Sequence, residues 1–285
     1  MHLIGNLYAI GAGIFFGFIT PTTKLAYQFG VGLSFAILLR YFLASLVIAV
    51  PLIIKIPKLT LFTTNLKLFL LISLGSICLT IGLLASVMYI QISLAILIFY
   101  TYPLLVLFTS IVIDKEKIDS LRIFLFFLAF VGIVFVLAPS FKSVNLLGLS
   151  FAFLASIGAA TMIITNQKMS KLLIHPIYIN AFTNFSNLIF FTIVIFLFYD
   201  FPLPTTFNGW IFITIASLCY IVAYLLQLVA IPRIGQSRTA LLLYAEPIVA
   251  IISAIYLLND LLNIYQIFGA ILVISSLAYA TYNKK

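Results

Sequence analysis

The chain has 285 residues, of which 65% are hydrophobic and only 7% charged, and its formal net charge is +9. A soluble domain carries about a quarter charged residues, so this composition excludes one and implies an all-α polytopic membrane protein. The excess of positive charge does not imply nucleic acid, because the basic residues stand singly between apolar runs and form no stripe.

Runs of about 20 apolar residues, divided by short stretches rich in Lys, Pro, Asn or Asp, predict ten transmembrane helices. In chain order they cover 3–23, 33–54, 66–90, 92–113, 120–138, 146–166, 176–198, 210–231, 237–258 and 264–282. The first run begins at once, with no basic leader and no small-residue cleavage site, and is read as a retained span. The third and fourth spans meet at Gln91, and only Pro232-Arg233-Ile234-Gly235 divides the eighth from the ninth, which predicts two tight hairpins. Cys78 and Cys219 each lie within an apolar run, where a thiol behaves as a small hydrophobe, and no metal spacing or cofactor motif is present. His2 and His175 are placed in a terminus and a loop and make no relay.

Short cytoplasmic loops collect Lys and Arg. With the N-terminus inside, 12 of the 15 basic residues fall on the cytoplasmic side, Lys24 and Lys142 fall outside, and Arg40 lies within a span. The expected location is therefore a cell membrane, with both termini in the cytoplasm. The mixed-charge segment from Asp114 to Asp119 reads as a solvated turn.

Tyr244-Ala245-Glu246-Pro247 sits in the middle of the ninth span, and Tyr100-Thr101-Tyr102-Pro103 in the middle of the fourth, 144 residues earlier. The same offset superposes Ser73 on Ser217, Ser93 on Ser237, Lys24 on Lys168 and Glu116 on Asp260. The chain is thus one unit written twice, with units at 1–141 and 145–285. Five spans per unit is an odd number, so the second unit is inverted relative to the first, as in many secondary transporters.

The Tyr-x-x-Pro helices, the acidic residue that follows them at Glu116 or Asp260, the small residues Gly132 and Gly269 and the five-plus-five layout resemble the EamA family of the drug/metabolite transporter superfamily. That resemblance implies a central cavity lined mainly by the first four helices of each unit, and a cargo that is typically an amino acid or other small metabolite, most often exported. The chain differs in having Asp260 where Glu is usual and Ser276 where the offset from Gly132 suggests Gly.

Glu246 lies about 13 Å from the inner end of its helix, where an ionised carboxylate is costly. It is a candidate to take up and release a proton, to hold a substrate ammonium group, or to brace the bend at Pro247. Pro103 and Pro247 each remove a backbone donor and free a carbonyl one turn back, near Phe99 and Leu243, which tyrosine hydroxyls or water would satisfy. They are candidate hinges. Arg40, about 10 Å below the outer end of its helix, pairs with Glu246, captures a substrate carboxylate, or snorkels to the headgroups. Facing the cavity together, Arg40 and Glu246 form two poles for a zwitterion.

Asn180, Thr183, Asn184 and Asn187 recur on one helical face, as do Ser217, Tyr220, Tyr224 and Gln227, and more weakly Ser73, Ser76 and Thr80. Such stripes line a wet cavity or bond helix to helix, and for the asparagines the cavity is expected, since four amide and hydroxyl groups exceed one packing contact. Thr20, Thr22 and Thr23, beside Pro21, extend the cavity outward. The expected substrate-binding set is Arg40, Tyr100, Tyr102, Asn180, Asn184, Asn187, Tyr220, Tyr224, Gln227, Tyr244 and Glu246. A small-molecule substrate and the lipid bilayer are the expected partners. The leading expectation is a secondary transporter of a small polar or zwitterionic metabolite; a carrier for lipophilic cations is the alternative, and an intramembrane enzyme lacks the nucleophile and base it would need.

Overall fold

The apolar runs fold as helices in a computed structural model, which describes residues 2–54, 56, 59–137, 145–258 and 263–282. They are α1 (His2–Gln28), α2 (Leu33–Ile54), α3 (Leu59–Thr64), α4 (Leu66–Ser86), α5 (Ile92–Phe99), α6 (Tyr102–Val112), α7 (Ser120–Leu137), α8 (Leu146–Lys171), α9 (Pro176–Phe198), α10 (Phe207–Ile234), α11 (Gln236–Leu242), α12 (Ala245–Leu258) and α13 (Ile264–Tyr282). Ten segments among the described residues are long and apolar enough to cross a membrane, and two of these, Ile92–Val112 and Gln236–Leu257, are each built from two helices in line. Asp260, Lys55, Lys58, Lys142, Lys284 and Lys285 lie outside the described residues.

The helix partnerships repeat across the two units. The first helix of unit one, α1, packs on the third helix of unit two, α10, and the converse pair is α4 on α8. The second helices, α2 and α9, pack on each other, and so do the fifth, α7 and α13. Likewise α12 packs on α1 while α5 and α6 pack on α8. This reciprocity is what an in-plane two-fold between inverted repeats produces. Small residues allow the close crossings: a methyl at Gly132 would come within 2.8 Å of the Gly269 carbonyl oxygen, so α7 and α13 touch backbone to backbone.

Local chemistry sets the helix ends. The Asn145 side chain accepts from the Leu147 and Gly148 amides at 2.8 and 3.3 Å and starts α8. The Thr206 hydroxyl accepts from the Gly209 amide at 3.1 Å and donates to the Phe29 carbonyl at 3.0 Å, capping α10 and tying it to the α1–α2 turn. That turn is also bonded from Ser34 to the Asp200 carbonyl at 2.7 Å. At the other face, Gly5 meets Ile234 and Arg233, while Arg238 donates to the Ala280 carbonyl at 2.7 Å. The two ends of the chain's helical part therefore lie on one face, called here the terminal face; the α1–α2 turn marks the distal face.

Several boundaries differ from the sequence reading, α8 among them, which runs on to Lys171. α1 continues through Pro21 to Gln28, and α10 continues through Pro232 to Ile234, since a helix loses only one bond to a proline. The hairpin between the eighth and ninth spans is thereby reduced to Gly235 alone, whose φ of +81° suits a residue without a Cβ. α4 stops at Ser86, where the Ser86 carbonyl accepts from both Tyr89 and Ile90 at 3.0 Å and turns the chain.

Candidate functional site

Both Tyr-x-x-Pro segments break their spans, and the breaks fall in the middle of the fold. In the fourth span the Leu104 amide bonds the Thr101 carbonyl at 3.0 Å, one residue short of helical pairing, which leaves the Tyr100 carbonyl without its helical donor. The Tyr244 hydroxyl of the other unit fills that place at 3.0 Å. In the ninth span the Leu243 carbonyl, freed because Pro247 has no N–H, accepts from Glu246 at 2.9 Å instead. The expectation of a tyrosine partner thus holds at one break, one residue beyond Phe99, and backbone alone serves the other.

The break explains the setting of Glu246. Because α12 starts at Ala245, the carboxyl lies in the first turn of a helix, where the unpaired amides and helix dipole favour negative charge. The 144-residue offset places Tyr102 at the corresponding position of the other unit, at the start of α6. The two units present unlike side chains, an acid and a phenol, at equivalent places.

Glu246, Tyr100 and Tyr102 all line a cavity of about 660 Å³. Its wall also includes Arg40 and Tyr41 from α2, Ser76 and Thr80 from α4, and Tyr220, Tyr224 and Gln227 from α10. Thr20, Pro21, Thr23, Lys24 and Tyr27 of α1 carry it toward the distal face, together with Leu83, Ile92, Leu137 and Ala254, all near the distal ends of their helices. Thr22 instead bonds back to the Phe18 carbonyl at 2.6 Å. Arg40 rests over the Tyr220 ring, its guanidinium carbon 5.5 Å from the ring centre, within cation–π range. Tyr41, which the sequence reading did not single out, bonds Thr80 at 2.8 Å and stacks on Phe191 at 5.4 Å.

The asparagine stripe does not line the cavity, and this corrects the expectation for Asn180, Asn184 and Asn187. All three are buried between helices. Asn187 donates to Ser76 at 2.6 Å, Asn184 to the Asn180 side chain at 2.8 Å, and Tyr220 donates to Asn184 at 3.3 Å. Tyr224 donates to Thr183 at 3.3 Å. The stripe therefore stands behind the cavity wall and fixes the tyrosines that face it. Tyr244 is likewise 0% exposed, so its side chain is placed to reach the Tyr100 backbone and not a cargo. Pro247 lines the cavity, whereas Pro103 is buried outside it.

Toward the terminal face the path is closed by polar contacts. The Gln236 amide donates to the Ser110 hydroxyl at 2.7 Å and to the Asp114 carboxylate at 2.6 Å, and Ser237 donates to Ser110 at 2.8 Å. Asp114 is thus bonded across to α11 and is not part of a purely solvated turn. The residues of this contact were missed because each is an ordinary polar group at the end of an apolar run.

The model of the EamA-like transporter family matches residues 3–138 and 146–282. A solved structure described only as "Crystal structure of protein" superposes with a TM-score of 0.83 at 13% identity, over 98% of this chain and 97% of that one. This likeness establishes the fold. No curated protein matches the sequence.

Proposed function

This chain belongs to the EamA-like transporter family, and on that premise we propose that it moves a small zwitterionic or polar metabolite, an amino acid or a relative of one, out of the cell by alternating access. The family makes it a membrane transporter of the drug/metabolite type. The observation that carries the finer reading is the cavity that holds Arg40 on one wall and Glu246 on another. A guanidinium suits a carboxylate and a carboxyl suits an ammonium group, so the pair matches both ends of a zwitterion. Tyr220 lies under the Arg40 guanidinium, and Tyr100 lines the same cavity as Glu246. Glu246 is also the group proposed to couple transport to protons, being the carboxyl that cargo and proton would share. The repeats 1–141 and 145–285 are the proposed moving units, and the 12 basic residues assigned to the side of the termini favour a cytoplasmic terminal face.

A second reading, a lipophilic organic cation as cargo, draws on Tyr100 and Tyr102 beside Glu246, a setting that favours cation–π contact with an unhydrated charge. Counterflow in proteoliposomes separates the two. Vesicles preloaded with one amino acid or one organic cation at a time should show saturable uptake of the labelled zwitterion, lost in Arg40→Ala and in Glu246→Gln. Cation counterflow that survives Arg40→Ala would select the second reading. Zwitterion counterflow in Glu246→Gln with wild-type pH dependence would remove proton coupling.

A further inference from the structure

We propose that Gln236 is the latch that holds the terminal face shut, and that the repeat-equivalent positions on the distal face, Ile92, Ala254 and Leu258, cannot form its counterpart, so the empty carrier rests open to the distal side. This rests on the alternating-access reading given above. Gln236 is 1% exposed and opens α11 immediately after Gly235. Its amide bridges Ser110 and Asp114, which lie on and just beyond the terminal end of α6, and Ser237 adds a second bond to Ser110. The Ser110 carbonyl accepts from Glu116 at 2.9 Å, which folds the following loop onto the same point. Four polar groups from two units thus close over the buried tyrosines.

The inverted repeat says what the distal face should contain if it closed in the same way. The 144-residue offset carries Gln236 to Ile92, Ser110 to Ala254 and Asp114 to Leu258. Ile92 cannot donate and Ala254 cannot accept, and both line the cavity mouth. The positions that are tied on one face carry apolar side chains on the other. In the reverse state α6 and α11 must separate while the distal ends of α5 and α12 meet through apolar contact.

The latch chemistry suits reversal. When it opens, its amide, hydroxyl and carboxylate exchange one another for water, so no group is left dry. When it is closed, the Gln236 carbonyl oxygen is buried with no partner, a standing cost that keeps the closed form from being locked.

The test needs no cargo. In a background with Cys78 and Cys219 replaced by Ser, single reporters Ala254→Cys at the distal mouth and Leu107→Cys beneath the latch are labelled with an impermeant maleimide from each side. The unmodified latch should give fast labelling of Ala254→Cys from the distal side and protection of Leu107→Cys. Gln236→Leu, which keeps the volume and removes two bonds, should slow the first and speed the second by about tenfold. Ser110→Ala should act in the same sense, and it replaces Gln236→Leu if that variant does not fold. Unchanged labelling of both reporters in a variant that stays monodisperse would overturn the latch. Failed counterflow with altered labelling would remove the proposed cargo and leave the latch standing.

Discussion

The two breaks in the fold are alike in backbone and unlike in chemistry. Both interrupt a span at a tyrosine, both precede a proline by three residues, and both begin a half-helix at the centre. Yet the first half-helix, α6, opens with Tyr102 and the second, α12, with Ala245-Glu246. The same contrast holds at the two faces, where Gln236, Ser110 and Asp114 stand against Ile92, Ala254 and Leu258. Duplication supplies the symmetry that the two reciprocal shapes of the proposed alternating access require. Divergence leaves a carboxyl at only one of the two breaks, and in the proposal above it also sets the preferred resting shape.

Four substitutions sharpen this comparison. Tyr102→Glu would give the first break the acid of the second and place two carboxyls around one cavity. It should cost about 2.5–3.5 kcal/mol, the penalty of an acidic residue at mid-membrane depth, read as a fall in melting temperature in detergent. A melting temperature equal to the wild type's would mean that the cavity is wet enough to make the two sites interchangeable. Tyr244→Phe keeps the ring and deletes the bond to the Tyr100 carbonyl, so about 1 kcal/mol should be lost. Tyr100→Phe, which removes the hydroxyl of a residue that lines the cavity with Glu246, should leave stability nearer the wild type and alter transport more. The reverse ranking would mean that Tyr244, and not Tyr100, serves the site. The smallest effect belongs to Asn187→Ala, which removes one bond between α9 and α4. About 0.6 kcal/mol should be lost, with counterflow saturating at the wild-type concentration. A large change in apparent affinity would return the asparagine stripe to the cavity.

Much of this fold was legible in the sequence because a bilayer leaves few choices. Every backbone group must be paired within the helix, so a run of about 20 apolar residues announces its own structure. The Tyr-x-x-Pro breaks were legible for the same reason, since a proline removes a donor wherever it sits. Side-chain orientation was less so. A polar stripe such as Asn180 to Asn187 states that one helix face needs partners, and periodicity does not distinguish water from a neighbouring helix. Arg40 was legible because a lone guanidinium in a span must go somewhere, and Tyr220 is where it goes. Asp114 and Gln236 were not, because a carboxylate beside a loop is ordinarily solvated and only the packing of α6 against α11 brings the two together.

The one-residue joint at Gly235 adds a mechanical consequence. A connection of that length has no slack, so the facing ends of α10 and α11 stay together, and the angle between the two arms changes only about Gly235. One arm carries Gln236; the other carries Tyr220, Tyr224 and Gln227 in the cavity wall. In the proposed opening, a swing of α11 at the terminal face would be shared between the Gly235 joint and α10, which carries the aromatic shelf under Arg40.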